Sequence, residues 1–263
     1  MYVDAPLAYT DDVMLTKQQD AYGRMVWDYL HGQSIPEIIE RDDGHFDTAQ
    51  GALYYFAEFK HWPRHQRAAM EYVRGRVLDI GCGAGRCCLY LQKRGQPVVG
   101  IDVSPLAIKT CRERGVRDAR LLPFTRIHHG LGRFDTILMM GNNFGLFGSR
   151  VRARWLLRRL HALTLPDARI VSESNAVYQT KNPDHLRYHR LNRRRGRMSG
   201  QLRIRVRYHR YCTPWFDYLM VSPDEMKAIM AGTGWRVQRF LKSSGSTYVA
   251  VIEKDGTKEK GRM

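Results

Sequence analysis

Apolar positions recur with two different periods along this chain, and the period changes near residue 74. Before that point the pattern is helical. Met25, Val26, Tyr29 and Leu30 fall on one side of a helix, and Pro36 and the Asp42-Asp43-Gly44 turn interrupt it. A second amphipathic stretch, from Ala49 to Lys60, carries Tyr54, Tyr55, Phe56 and Phe59; Trp62-Pro63 stops it, and Arg64 to Val73 reads as a third helix. After residue 74, short apolar runs alternate with helical stretches. Strands are expected at Arg76 to Ile80, Pro97 to Asp102, Ala119 to Leu122, Phe134 to Met140 and Ala168 to Ser174. Helices are expected at Arg86 to Arg94, Pro105 to Arg114 and Val151 to Leu163. Such alternation with short connections gives a parallel sheet covered by helices on both faces. A helix from Pro223 to Ala231 and two strands, Trp235 to Leu241 and Thr247 to Glu253, close the pattern, the two strands near enough to pair antiparallel.

One further strand interrupts this order. Leu202, Ile204, Val206 and Tyr208 alternate with Arg203, Arg205, Arg207 and His209, so one face is apolar and the other cationic. The arginines belong to a wider bias: the chain carries a formal charge of +17, and the stretch from His185 to Phe216 holds ten arginines and no acidic residue. Two readings of that face stand side by side. It is a solvated surface whose charges deter edge-to-edge pairing, or an anion site in which Arg203 and Arg205 bind a carboxylate, a phosphate or an RNA backbone. The first is preferred for at least two of Arg203, Arg205 and Arg207. The rest of the composition is ordinary for a folded chain of 263 residues, with 43% hydrophobic and 26% charged residues. No apolar run approaches the roughly 20 residues that cross a bilayer. Met1-Tyr2-Val3-Asp4 does not open a secretory signal, and the five cysteines form no CxxC pair. A cytoplasmic protein without disulfides, without a metal site and without a membrane partner is expected.

The chemistry concentrates at the first strand–helix junction, Val77-Leu78-Asp79-Ile80-Gly81-Cys82-Gly83-Ala84-Gly85. Gly81 and Gly83 let the backbone turn tightly and approach a ligand. A dinucleotide loop has GxGxxG; here the third position of that pattern is Arg86, and the third glycine comes one residue early, behind the acidic Asp79. GxGxG behind a carboxylate suits a ligand with an amino-acid end and a nucleoside end and no phosphates. The second strand ends in Asp102, seventeen residues beyond Gly85, where a carboxylate can hold both ribose hydroxyls.

On these residues the chain resembles the class I S-adenosylmethionine-dependent methyltransferases from about Arg74 to Glu253. Residues 77 to 85, 98 to 104 and 134 to 145 match the family's first, second and fourth motifs, and Pro166-Asp167-Ala168-Arg169 stands where the family usually shows Pro-Gly-Gly-Arg. The resemblance implies an α/β fold with a seven-stranded, mostly parallel, doubly wound sheet. A helical N-terminal cap (residues 1–73) would precede the methyltransferase domain (74–253), a β insertion (176–222) would follow the fifth strand, and a charged tail (254–263) would end the chain. It implies S-adenosylmethionine as cofactor and S-adenosylhomocysteine as product. It places Asp79, Gly81, Cys82, Gly83 and Gly85 around the methionine and ribose, Asp102 on the ribose, Val103 beside the adenine, and Gly141 and Asn142 near the transferable methyl. Asp118 lies too early to end the third strand, which leaves backbone groups or Thr125 for the adenine amino group.

The acceptor is less constrained. The Asn/Asp-Pro-Pro-Tyr loop and the Pro-Cys nucleophile that the family uses on nucleobases are absent from Gly141-Asn142-Asn143-Phe144-Gly145 and its surroundings. Candidate bases are Glu173, which ends the fifth strand, and His45 and His189; a capping carboxylate and a surface histidine are the plainer readings of Glu173 and His45. Asn143 and Tyr55 are candidates to touch the acceptor, although helix packing also explains Tyr54, Tyr55, Phe56 and Trp62. The chain is expected to be a methyltransferase acting on a small molecule, with RNA or peptide methylation, or a non-catalytic cofactor-binding module, as alternatives. The segment before residue 74 exceeds what the core needs, so it is expected to close over the cleft, and deleting residues 1 to 48 is expected to leave a folded, cofactor-binding core that no longer transfers a methyl group.

Overall fold

The computed structural model describes residues 14–48 and 51–256, so the chain's first residues and its last seven lie outside the described part. The chain begins with helix α1 (Ala21–Leu30), strands β1 (Ile38–Arg41) and β2 (Phe46–Thr48), and helices α2 (Ala52–Phe56) and α3 (Arg64–Ala69). The alternating part runs β3 (Val77–Ile80), α4 (Arg86–Lys93), β4 (Val98–Asp102), α5 (Pro105–Glu113), β5 (Ala119–Leu121), β6 (Phe134–Met139), α6 (Arg150–Leu163) and β7 (Thr164–Asn175). The inserted segment supplies α7 (Pro183–Arg194), β8 (Gln201–Tyr208), β9 (Tyr211–Cys212) and β10 (Phe216–Leu219). Helix α8 (Pro223–Met230) and strands β11 (Trp235–Lys242) and β12 (Thr247–Lys254) end it, so Lys254 belongs to a strand and not to the tail. Among the described residues no helix is long and apolar enough to cross a membrane.

Seven strands form the main sheet in the order β11-β12-β7-β6-β3-β4-β5. Strands β3 to β7 pair in parallel; β12 pairs antiparallel with β11, as expected from their short connection, and also with β7. The central strands are apolar on both faces because both are covered. On one side Leu78, Ile80, Ile137 and Ile170 pack under α6 and α8; on the other Val77, Leu138 and Val171 pack under α3, α4 and α5. The chain leaves β3 toward β4 on one side and reaches β6 on the other, so the crevice beyond the carboxyl end of β3 is where a ligand binds in such a sheet.

A second sheet, β10-β8-β1-β2 with β9 on β8, lies across that crevice. The cap, expected to be helical, therefore contributes two strands. Four residues, Ile38-Ile39-Glu40-Arg41, are too few to show a period, and their partner β8 lies far downstream: Ile39 sits opposite Val206 and Glu40 opposite Arg205. β1 is an interior strand of this second sheet, between β8 and β2, so the first 48 residues share a sheet with the insertion. The insertion also holds α7, hidden in the arginine run. Its start is legible in retrospect, since the Asn182 side chain accepts from Asp184 N at 2.9 Å and Pro183 occupies the first helical position.

The register explains the arginines. Arg205 forms a two-pronged bond with Glu40 at 2.7 and 2.9 Å, Arg207 joins the same carboxylate, and Arg203 reaches its cross-strand neighbour Asp217 at 3.2 Å. The expectation that Arg203 and Arg205 bind the acceptor is thereby corrected: their forks are occupied by acids of the flanking strands.

Asp20 joins the cap to the core. Its carboxylate caps α1 through Gly23 N at 3.0 Å and accepts from Ser104 Oγ at 2.6 Å and Leu106 N at 2.9 Å, at the start of α5. The fit is tight, as a Cβ on Gly23 would lie 2.0 Å from Ser104 Oγ. Asp20→Ala should lower the free energy of unfolding by about 1–3 kcal/mol, the loss of a cap plus two stranded donors. Denaturant titration followed by circular dichroism checks this; an unchanged midpoint would show that the junction contributes nothing.

Candidate active site

The glycine loop follows β3 directly, and Gly81 N and Cys82 N both donate to Ile101 O of β4, which fixes its turn. Gly83 has a φ of +55°, and a Cβ there would lie 2.3 Å from the Tyr22 hydroxyl oxygen. Any side chain at this position would be strained and would collide. Tyr22 comes from α1 and overhangs the loop, a placement that no local signal could have disclosed. Asp102, at the end of β4, accepts from Gly83 N and Ser104 N, both at 3.0 Å; burial pushes its pKa up, yet it keeps some exposure at the mouth of the crevice, with Val103 beside it. Asp79 is 2% exposed and lies beneath the loop, accepting from Cys88 Sγ at 3.3 Å, and burial pushes its carboxyl up to about 7. The Cys82 side chain turns inward, 3.9 Å from Cys111 Sγ, so only its backbone is offered to a ligand.

Two expected site residues serve the loops instead. Asn143 donates through Nδ2 to Ile80 O and Gly81 O, both at 2.9 Å, and thus braces the glycine loop. It does not line the acceptor cavity, which corrects its assignment to the acceptor. Glu173 is 2% exposed, and its oxygens are fully engaged: His65 Nε2 at 3.0 Å, Gln66 Nε2 at 2.8 and 3.0 Å, Gly141 N at 2.6 Å and Asn142 N at 3.2 Å. Burial alone would raise its pKa, but the bonds from His65 and Gln66 outweigh burial and hold it below the usual carboxylate value. A saturated carboxylate with a lowered pKa is a poor general base. It fixes the Gly141-Asn142 turn, where Asn142 takes a left-handed φ of +63° and its carbonyl accepts from Tyr218 OH at 2.6 Å.

Beyond the loop lies a cavity of about 1060 Å³, walled by cap, core and insertion. Tyr54, Tyr55, Tyr188, Phe216 and Tyr218 face it, with the apolar side of β8, namely Leu202, Ile204 and Val206. The expected Tyr55, His45 and His189 all line this space, as do Gly141 and Asn142. Burial, followed by the nearby Arg193, lowers the pKa of His189. The sequence reading missed Glu37. It is 1% exposed and lines the cavity; one side of its carboxylate lies 3.4 Å from Tyr55 OH, the other oxygen has no hydrogen-bond partner, and burial raises its pKa.

The residues fit a nucleoside with an amino-acid end. The loop is kept clear by glycine, Asp102 stands partly exposed at the end of β4, and the Asn142 Oδ1 beside the cavity is without a hydrogen-bond partner. They do not fit a pyrophosphate. Two cations stand at the loop and both are engaged: Arg86 is stacked between Tyr54 and Trp62 at 4.3 and 4.4 Å and donates to Gln66 Oε1, and Arg114 donates to Ala84 O and lies over the Phe56 ring. Asp118 is paired with Arg120 at 2.7 Å, at the start of β5, and takes no part in the crevice.

Known proteins agree with this geometry. A family model described as a methyltransferase domain matches residues 77–167. An uncharacterized methyltransferase of Schizosaccharomyces pombe is 31% identical over 119 residues, 43% of this chain and 82% of that protein. The 2-heptyl-1-hydroxyquinolin-4(1H)-one methyltransferase of Mycobacteroides abscessus is 40% identical over 75 residues, 25% of this chain, which spans about a third (32%) of that protein's length. The crystal structure of an S-adenosylmethionine-dependent methyltransferase from Bacteroides fragilis with S-adenosylhomocysteine superposes with a TM-score of 0.78 and 26% identity, covering 92% of this chain and 98% of that one. Sheet order, loop spacing and relatives agree, and the chain belongs to the class I S-adenosylmethionine-dependent methyltransferases.

Proposed function

We propose that the acceptor is a small molecule enclosed between the glycine loop, the cap and the insertion. The observation that carries this is the cavity: about 1060 Å³, roofed by two elements that are not part of the main sheet and walled by aromatic rings. Small-molecule sites are concave, mostly apolar and typically about 300–1,000 Å³, whereas a polymer needs an open trough. The arginines that suggested a nucleic acid partner support this reading rather than the RNA one, because Arg203, Arg205 and Arg207 bond acids of their own sheet.

When bound, S-adenosylmethionine supplies a methyl group on a sulfonium, already activated for in-line displacement. What remains for the chain is positioning, exclusion of water and, for a protonated nucleophile, a base. Glu173 and Asn143 hold the two loops that define the crevice. Cap helices and β8 keep water out. Glu37 is the proton acceptor in this reading: it faces the cavity, has a free oxygen, and burial brings its pKa nearer to that of the hydroxyl or ammonium it would deprotonate.

Glu37→Gln should therefore lower kcat by about 10²–10⁴ while cofactor affinity stays unchanged, and Glu173→Ala should instead lower stability by roughly 3–5 kcal/mol, leaving His65 and two backbone donors buried without a partner. Steady-state kinetics with an acceptor found by screening, alongside calorimetry and unfolding curves, separates the two roles. Cofactor binding without turnover on any acceptor would instead favour a non-catalytic module.

Asp79 gives a pH signature. Its folded-state pKa is raised to about 7, above its ordinary 3.8, so the protonated native form is favoured. The contribution is present in full below the ordinary carboxylate range, falls with a slope of about one proton as pH rises, and is lost on passing through about 7. The cofactor-free protein should lose stability over that window, and Asp79→Asn should flatten the slope. Thermal unfolding as a function of pH measures it; identical profiles for both proteins would sink the assignment.

A further inference from the structure

The cavity carries a cluster to which the reading of Glu37 as proton acceptor gives no role. His45 and Asp47 lie two residues apart at the start of β2, and His185 and His189 lie one turn apart on α7; all four line the cavity. One donor atom from each of His45, Asp47 and His185 falls within 4.8 Å of the other two. His45 Nε2 is 3.2 Å from Asp47 Oδ2, and His185 Nε2 is 3.9 Å from the same oxygen. The first approach lacks the alignment of a hydrogen bond: His45 Nε2 is shut off from solvent and has no hydrogen-bond partner. A buried polar atom left in that condition calls for a ligand.

The opposite nitrogen of His185 has a partner of the kind that orients metal ligands, and that of His45 lies near a carboxylate beyond hydrogen-bond distance. His185 Nδ1 is 3.1 Å from Thr180 Oγ1, and His45 Nδ1 is 3.7 Å from Asp184 Oδ2. Imidazoles that bind metals present one nitrogen inward while the other is held by a hydroxyl, carbonyl or carboxylate. The nearby cation Arg41 is paired with Asp43 at 2.7 Å.

We propose that His45, Asp47 and His185 form a site for a divalent transition-metal ion of the Zn²⁺ type, opening into the acceptor cavity. Two imidazoles and one carboxylate form a donor set that suits zinc and not magnesium, which takes oxygen ligands. Bonds of about 2.0–2.1 Å place tetrahedral neighbours about 3.3 Å apart. The His45–Asp47 separation already has this value, and the His185–Asp47 separation closes by about half an ångström, a shift within reach of Asp47, whose side chain is 61% exposed. Three protein ligands leave a fourth position toward the cavity, where a hydroxyl, carboxylate or amine of the acceptor would complete the shell. That last consequence rests on the small-molecule reading; the metal site does not. The ion would also join the β1–β2 hairpin to α7, two segments distant in sequence.

The test is calorimetry of the untagged full chain, stripped with a chelator, against Zn²⁺ and against Mg²⁺ at neutral pH. The expected result is one Zn²⁺ per chain with micromolar or tighter affinity and no Mg²⁺ binding. Binding should be lost in His45→Ala and His185→Ala, and weakened at least about tenfold in Thr180→Val, which removes the outer partner of His185 together with the acceptor for Asn182 N at 3.2 Å. S-adenosylmethionine binding, retained in each variant, reports that the fold is intact, and Thr180→Val serves where a histidine variant does not fold. Absence of stoichiometric Zn²⁺ binding overturns the proposal, as does binding that survives all three substitutions, which would place the ion on the cysteines instead. Neither outcome bears on whether the acceptor is a small molecule.

Discussion

One buried carboxylate, Glu173, is the interaction on which the crevice depends. It sits near the end of β7 and accepts from two side chains of α3 and two backbone N–H groups of the turn after β6. Core, cap and catalytic loop thus meet at a single charge. Removing a carboxylate from water costs several kcal/mol, and only a near-complete set of donors offsets that. Here the set is complete, which explains a pKa below the usual value in a nearly solvent-free position. The same donors leave the group little capacity to take a proton from an acceptor, so a strand-end carboxylate at the expected catalytic position serves as a brace.

Charge in the rest of the molecule follows the same logic of local pairing. The +17 of the chain suggests an anionic partner, yet the arginines of β8 are matched by Glu40 from β1 and Asp217 from β10. Those pairs lie on the outer face of the second sheet, while its inner face, Leu202, Ile204 and Val206, forms one wall of the cavity. Period-two alternation thus separates a wall that binds from a surface that holds the cap in register. Other arginines, Arg187, Arg190 and Arg194 of α7, border a second hollow, and Arg187 is paired there with Asp184 at 3.1 Å.

The cavity is lined by groups of several kinds. At the turn after β6 the groups offered to it are backbone, the Asn142 amide and the hydroxyls of Tyr54 and Tyr218. Glu37 lies in its aromatic section, and the histidines of β2 and α7 line a further part of the wall. Aromatic walls give contact area at little entropic cost, and the few polar groups set orientation. No single segment of the chain contains this lining, since its parts come from α1, the hairpin, α2, the turn after β6, α7 and β8.

What the sequence determined by itself is everything that repeats locally. The two periods of apolar residues gave the seven strands and their order of appearance, the GxGxG spacing behind Asp79 separated this loop from a dinucleotide loop, and Asp102 followed at the distance that one strand–helix–strand unit imposes. The alternation at Leu202 to His209 located β8 and both of its faces. Only the tertiary structure decided the rest, because it rests on contacts between segments far apart in the chain. β1 is too short to have a period and acquires its identity from β8; Tyr22 and Glu37 carry no motif and become site residues only where the cap folds back; and Asn143 and Glu173 look like ligands in sequence until their partners are seen. A local pattern records the field of one element, whereas desolvation and hydrogen-bond saturation depend on every group within a few ångströms, and those neighbours are set by the fold.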